Sequence, residues 1–271
     1  MKTLKNIFPF ALLAALLVVA SCKKEDTIDP NEKGSVVLEF DNIYEGQQLK
    51  LNDVTYKTAA GEDINISQFD YFVSNIHLVK EDGSEYIVPQ DNSYFLVKES
   101  NVASQTLTLT DVPAANYKSV KFMIGVDSLR NTMDVSKRTG ILDPAAGAAG
   151  MYWSWNSGYI FMKMEGTSPS APLDSATNLR KFRMHIGGFG GLNSKTINNI
   201  KEASLTDADG EMAKVRASAK PTFHITVDAS KVLNGSTNVS LKTNATTMFN
   251  AFSVNVANNY QSMFKVDHVH N

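Results

Sequence analysis

Both tryptophans of the chain, Trp153 and Trp155, fall in one aromatic segment running from Gly150 to Gly166, GMYWSWNSGYIFMKMEG. Residues at i and i+2 of a strand point to one face, so the two indoles and Met151 are expected side by side. Such a cluster is either the centre of an apolar core or one wall of a site, because large aromatics dominate the energetics of both. The other chemistry on offer is metal ligation. The chain has five histidines and a single cysteine, Cys22. One cysteine forms no intramolecular disulfide and no multi-thiolate centre. A soft metal is therefore left to histidine, methionine or a group made from another side chain.

Each histidine carries a bland reading beside the ligand reading. His185 ends a strand just before Gly187-Gly188-Phe189-Gly190-Gly191, a position that suits a ligand and equally an ordinary exposed histidine. His77 sits between Ile76 and Leu78 and is expected to share a face with Val73, Asn75 and Val79, half-buried or ligating. His268 and His270 form His-x-His on the face of Phe264 and Val266. Two imidazoles so spaced can chelate one metal, unless the terminus frays. His224, in Thr222-Phe223-His224-Ile225-Thr226-Val227, alternates onto the polar face and is expected to face solvent without a metal role. Met162 and Met164 suit Cu(I), but read better as core. The glycine run after His185 lacks the spacing and context of a dinucleotide loop. Asp207 to Glu211 is too short for an EF-hand loop and reads as a turn. No GxSxG, HExxH or paired catalytic carboxylates are present, so no enzyme is expected.

The elements that must position these groups are short strands. Val36–Phe40, Tyr71–Val79, Tyr86–Val88, Tyr94–Val97, Thr106–Thr110, Tyr117–Val126, Tyr159–Met164, Lys181–Ile186, Thr222–Val227 and Val239–Leu241 are rich in β-branched and aromatic residues. Glu81-Asp82-Gly83-Ser84 reads as a hairpin turn. Without βαβ alternation, the pattern predicts an all-β chain: an antiparallel β-sandwich with long loops and little helix. The longest connection, Asn131 to Ala149, precedes the tryptophan segment, and loops of that length are usually functional or disordered. A short helix is expected around Ala257 to Met263.

The N-terminus fixes the compartment. Lys2 and Lys5 precede an apolar run, Ile7 to Ala20, too short to span a bilayer. Residues 1–21 read as a signal peptide, and Val19-Ala20-Ser21-Cys22 resembles a bacterial lipobox with Cys22 as the lipidated residue. Residues 22–34 are then a polar tether and 35–271 the folded domain. The charged Lys23-Lys24-Glu25-Asp26 start resembles the sorting signal of surface lipoproteins of Bacteroidota. An outer-membrane lipoprotein, facing periplasm or cell surface, is expected. Loss of residues 1–21 moves the net charge from −2 to −4, with 24 basic against 28 acidic residues. No basic patch supports nucleic-acid binding.

Taken together, Tyr71 to Leu78, Gly125-Val126-Asp127-Ser128, Leu142-Asp143-Pro144 with the tryptophan segment, Phe182 to Gly188, and Asn258 to Phe264 running into His268-Val269-His270 resemble the MbnP-like family of copper-binding proteins. The resemblance spans about residues 35 to 271 and rests most on the tryptophan segment. It implies copper as the cofactor, held by histidines and by a tryptophan oxidised to kynurenine, whose aryl amine is a ligand. It also implies a di-haem partner of the MauG-like class that performs the oxidation. His185, His77, His268, His270, Trp153 and Trp155 are the candidate metal residues. In some relatives a histidine lies two residues from the modified tryptophan; here that neighbour is a second tryptophan, so either indole is open to the role. A different class of function, a surface lipoprotein that binds glycan through exposed aromatics, needs the indoles on the surface and no histidines nearby.

Overall fold

The computed structural model describes residues 28–155 and 158–271. The expected signal peptide, Cys22 and the start of the expected tether lie outside them. The main strands, in chain order, are β1 (Lys33–Tyr44), β2 (Asp63–Lys80), β3 (Glu85–Ile87), β4 (Tyr94–Lys98), β5 (Thr106–Pro113), β6 (Ala115–Ile124), β7 (Tyr152–Trp153), β8 (Gly158–Thr167), β9 (Lys181–Gly187), β10 (Lys201–Thr206), β11 (Thr222–Asp228) and β12 (Phe264–His270). Three short helices accompany them: α1 (Ser128–Thr132), α2 (Leu241–Asn244) and α3 (Ser253–Tyr260). The fold is all-β, as the sequence predicts.

Among the described residues the strands make a sheet of five and a sheet of eleven. The smaller runs β12–β11–β1, with β5 on the far side of β1. The larger has the order β10–β6–β2–β8–β9, with β3 and β4 added against β2. Their facing sides bury one core, which includes Leu38, Phe40, Tyr71, Phe122, Phe182 and Ile225. Most ladders are antiparallel, but β1 and β11 run parallel, from Val37 opposite Thr222 to Ile43 opposite Asp228. Alternation reveals which face a strand buries and says nothing about the direction of its partner.

Two irregularities re-aim histidines. In β2, Asn75 takes a left-handed backbone conformation (φ 50°), and the pairing with β6 shifts register between Ser74 and His77. Asparagine tolerates that conformation better than most residues. Val73, Ile76 and Leu78 consequently all face the core, while His77 points away from it. His77 and Val73 therefore do not share a face, contrary to the simple alternation. In β12 the register shifts opposite His224 and Ile225. Phe264 and Val266 are buried, Asp267 and His268 are both exposed, Val269 is buried and His270 exposed. The extra residue turns His268 and His270 to the outer face, away from Phe264 and Val266.

The C-terminal strand is no frayed end. Phe264 lies edge-on to Phe122 (ring centroids 5.0 Å), Tyr71 (5.6 Å) and Phe40 (6.2 Å). α3, which starts and ends a few residues earlier than expected, leads directly into it. Val239–Leu241 forms no strand. The buried carboxylate of Glu62 instead accepts from the Ser240 hydroxyl and the backbone N–H groups of Leu241 and Lys242, and this holds the first turn of α2.

A second apolar cluster lies on the outer face of the larger sheet. Phe72 of β2 and Phe161 of β8 point outward and are covered by Val126, Leu142, Ala148, Met151, Trp153 and Tyr159. The long connection that precedes the tryptophans is the cover, and polar groups pin it down. Asn131, buried in α1, donates to the carbonyl oxygens of Val126 (2.6 Å) and Asp127 (3.0 Å) and accepts from the Tyr159 N–H (3.0 Å). The Tyr159 hydroxyl donates to the Leu142 carbonyl at 2.5 Å. The Arg138 guanidinium donates to the carbonyls of Asn131 and Met133 and lies over the rings of Tyr152 and Tyr159. Gly125 (φ 123°) passes so close to Phe161 that a Cβ there would sit 2.7 Å from the ring.

Asn131→Ala leaves the Tyr159 N–H and the Val126 carbonyl buried without partners. Unpaired buried groups cost about 1–3 kcal/mol each, so the variant should lose about 3 kcal/mol of unfolding free energy by denaturant titration. A loss below about 0.5 kcal/mol would show that the cover is not held through this residue.

Candidate functional site

Gly150 to Trp155 crosses the outer face of the larger sheet above β8 and β9. Trp153 pairs with Gly158 in the β7–β8 ladder and is buried, with 5% of its surface exposed. Its ring lies directly over Gly187, where a Cβ would come within 2.8 Å of it, and edge-on to Phe249 at 6.3 Å. Trp155 is in the turn that follows, 65% exposed, with its ring 5.4 Å from that of Trp153. The two indoles do touch, as i, i+2 spacing implies, but one belongs to the outer core and the other to the surface. Beside them is a cleft of about 190 Å³ lined by Gly158, Gly188, Phe189, Leu192 and Phe249.

His185 is two residues before Gly187 on β9 and, by alternation, on the same outer face as the glycine that carries Trp153. Its Nε2 is 2.6 Å from Glu165 Oε1. Lys163, opposite His185 across the ladder, reaches Glu165 at 3.3 Å and donates to the Gly150 carbonyl at 3.2 Å. Asp70 stands opposite Lys163 on β2 and is buried. One Asp70 oxygen accepts from Gln68 at 2.6 Å, while the other has no partner among the described residues. The strands thus line up Asp70, Lys163 and His185 in one row beneath the tryptophan segment. The hydrogen bond from His185, reinforced by the Lys163 charge, pulls the Glu165 carboxyl down to about 2, against the opposing effect of burial. Desolvation pushes Asp70 the other way, above the ordinary carboxylate range.

The remaining histidines lie elsewhere. His77 pairs with Glu85 (2.8 Å), which also holds Lys121 (2.6 Å). Along β2 it is seven residues from Asp70, on the order of 20 Å of strand. His268 and His270 are on the outer face of the smaller sheet, away from both. There His224 stacks on His268, ring centroids 4.2 Å apart and planes within 15° of parallel, and His270 is 6.5 Å from His224. The candidate metal residues therefore occupy three places. His224, expected to face solvent without a metal role, is the immediate neighbour of the C-terminal pair. Among the described residues no three histidine, cysteine or carboxylate groups are already gathered as a metal cage. Imidazoles are nonetheless present beside the indoles and as a stacked pair, which is the donor chemistry a copper ion accepts.

Alternation in Lys163-Met164-Glu165 and Arg183-Met184-His185 does place the charged residues outward; the pairing of these strands, and so the row, is what the sequence lacks. Glu165 has a depressed folded-state pKa. Its contribution to stability is complete above its unfolded value near 4.5 and is lost as pH falls from there towards about 2. Asp70, shifted upward, changes in the opposite sense. The comparison must therefore be between wild type and Glu165→Gln. The stability difference between them should shrink as pH drops through that window, measured by thermal melts at stepped pH. A pH-independent difference would contradict the His185–Glu165 pair.

The MbnP family model matches residues 33–252. The solved structure of MbnP from Methylosinus trichosporium is similar in fold, with a TM-score of 0.53 and 14% sequence identity over 81% of this chain and 82% of that one. No curated protein is significantly similar to the chain. With most of its length matched, the chain belongs to the MbnP family, which is associated with copper.

Proposed function

We propose that the chain is an exported copper-binding lipoprotein that serves copper acquisition or buffering. On this reading Cu(I) is held by an imidazole and by a tryptophan-derived kynurenine. The observation that carries it is the pairing of an exposed indole, Trp155, with a buried one, Trp153, whose ring rests on the glycine two residues from His185. An unmodified indole N–H is a donor only and cannot ligate a metal; an aryl amine has a lone pair. His185 supplies the neighbouring nitrogen donor, and Glu165 on the same ring fixes its orientation, as carboxylates do behind ligating histidines.

The chain has no redox cofactor motif of its own, so the oxidant comes from a di-haem peroxidase-like partner using hydrogen peroxide. Two peroxide molecules deliver two oxygen atoms across the indole C2–C3 bond and leave as two waters. Hydrolysis of the resulting formamide then releases formate and frees the aryl amine. Electrons leave through the surface, which favours Trp155 as the converted residue, with Trp153 beneath it to share the hole. Lipidation of Cys22 keeps the protein on the outer membrane. The glycan reading retains one favourable observation, the exposure of Trp155, but a single exposed indole above a histidine–carboxylate row suits a metal better than a sugar platform.

Protein isolated from its native host should carry a peptide containing Trp155 that is heavier by about 4 Da, one carbon exchanged for one oxygen. Protein expressed without the di-haem partner should carry two intact indoles. His185→Ala should weaken Cu(I) binding of the modified form by about tenfold or more, since each bond is a large share of a low-coordinate site. In the same preparations, Cys22→Ser should leave the detergent phase that retains wild type. Two intact indoles in native material with an active partner would refute the modification. Equal partitioning would refute the anchor.

A further inference from the structure

We propose that His224, His268 and His270, backed by Glu39 and Asp267, form a binding site for a divalent transition-metal ion on the outer face of the smaller sheet. The site is separate from the tryptophan segment and needs no modified residue.

Three neighbouring strands build it. Glu39 of β1 lies opposite His224 of β11, and His224 lies opposite His268 of β12. The register shift in β12 turns His268 and His270 outward onto this row. The sheet beneath is rigid, with Phe223, Ile225, Val266 and Val269 all buried on its inner side.

A carboxylate beside each Nδ1 orients the rings as ligands. His224 Nδ1 lies 3.3 Å from Glu39 Oε2, and His268 Nδ1 lies 2.9 Å from Asp267 Oδ2. A carboxylate beside Nδ1 favours the tautomer with the proton on Nδ1, which leaves Nε2 with a lone pair, the arrangement found behind metal-bound histidines. Among the described residues neither Nε2 is engaged in a hydrogen bond. With centroids 4.2 Å apart and planes within 15° of parallel, the two rings must tilt out of their stack for both Nε2 lone pairs to converge on one ion at about 2.0–2.1 Å from each. His270, tilted at 35° and 6.5 Å from His224, is the third donor after a rotamer change, and solvent completes the shell. The nitrogen-rich set favours Zn(II), Ni(II) or Cu(II) over Ca(II) or Mg(II). Stability does not account for the arrangement. The groups are about a quarter to three-fifths exposed, and such surface ion pairs contribute about 0–1 kcal/mol.

The test is calorimetric titration of the full chain, purified in detergent after expression without an oxidising partner, with Zn(II) as the probe. One equivalent should bind. His224→Ala and His268→Ala should each abolish that binding or weaken it by tenfold or more, and His270→Ala should weaken it less. Glu39→Gln or Asp267→Asn should weaken it by about tenfold while keeping the stoichiometry. Trp153→Phe with Trp155→Phe, and His185→Ala, should leave it unchanged, which separates this site from the copper site proposed above. Melting temperatures confirm that the exposed substitutions leave the fold intact. With Cu(II) in place of Zn(II), nitrogen superhyperfine lines in the electron paramagnetic resonance spectrum should diminish in His224→Ala. No saturable Zn(II) binding, or binding that survives His224→Ala and disappears in His185→Ala, overturns the proposal.

Discussion

Phe72 and Phe161 point out of the larger sheet, on the side away from the main core. An apolar surface of that kind has to be covered, and among the described residues the connection between β6 and β8 supplies much of that cover. Its descent onto the sheet buries Met151, Trp153 and Tyr159 together with the outward phenylalanines. Trp153 is drawn into this second core, and the turn after it leaves Trp155 on the surface. Gly187 permits the close approach, and the polar anchors Asn131 and Arg138 satisfy the backbone groups that the descent would otherwise strand. The placement of the indoles beside His185 is thus a consequence of covering a two-faced sheet. A composition rich in aromatic residues on both faces of β2 and β8 requires some such cover.

At the other end of the chain, Phe264 does the corresponding work. Its ring packs against three others in the main core and fixes β12 at the edge of the smaller sheet. Once that position is set, the extra residue after Val266 determines what the last turn of chain displays. Without it, His268 and His270 would follow Phe264 and Val266 inward, where neither imidazole could find water. With it they stand outward beside His224.

Much of this architecture is readable from alternation alone. The strands around Val36–Phe40, Tyr71–Val79, Thr222–Val227 and Lys181–Ile186 are where the period of two places them, and the Glu81–Ser84 hairpin follows from its turn residues. What alternation misses is of three kinds. It carries no information on partners, so the parallel β1–β11 ladder, and with it the meeting of Glu39 and His224, is invisible before folding. It fails at bulges, which is why His77 and the C-terminal pair face otherwise than a strict period implies. It cannot weigh a local competitor such as Glu62, whose carboxylate makes a helix start where Val239–Leu241 reads as strand. The residue types of the site were legible, but their grouping into separate places on the two sheets was not.

The family is associated with copper, and the place proposed for it is an exposed indole on a buried one, above a strand that carries an imidazole. The most direct measurement is a crystal structure of copper-loaded protein from its native host, with anomalous scattering collected at the copper edge. The account predicts a copper peak bonded to the aryl amine derived from Trp155 and to His185. Intact indoles with no copper peak at the tryptophan segment would contradict it.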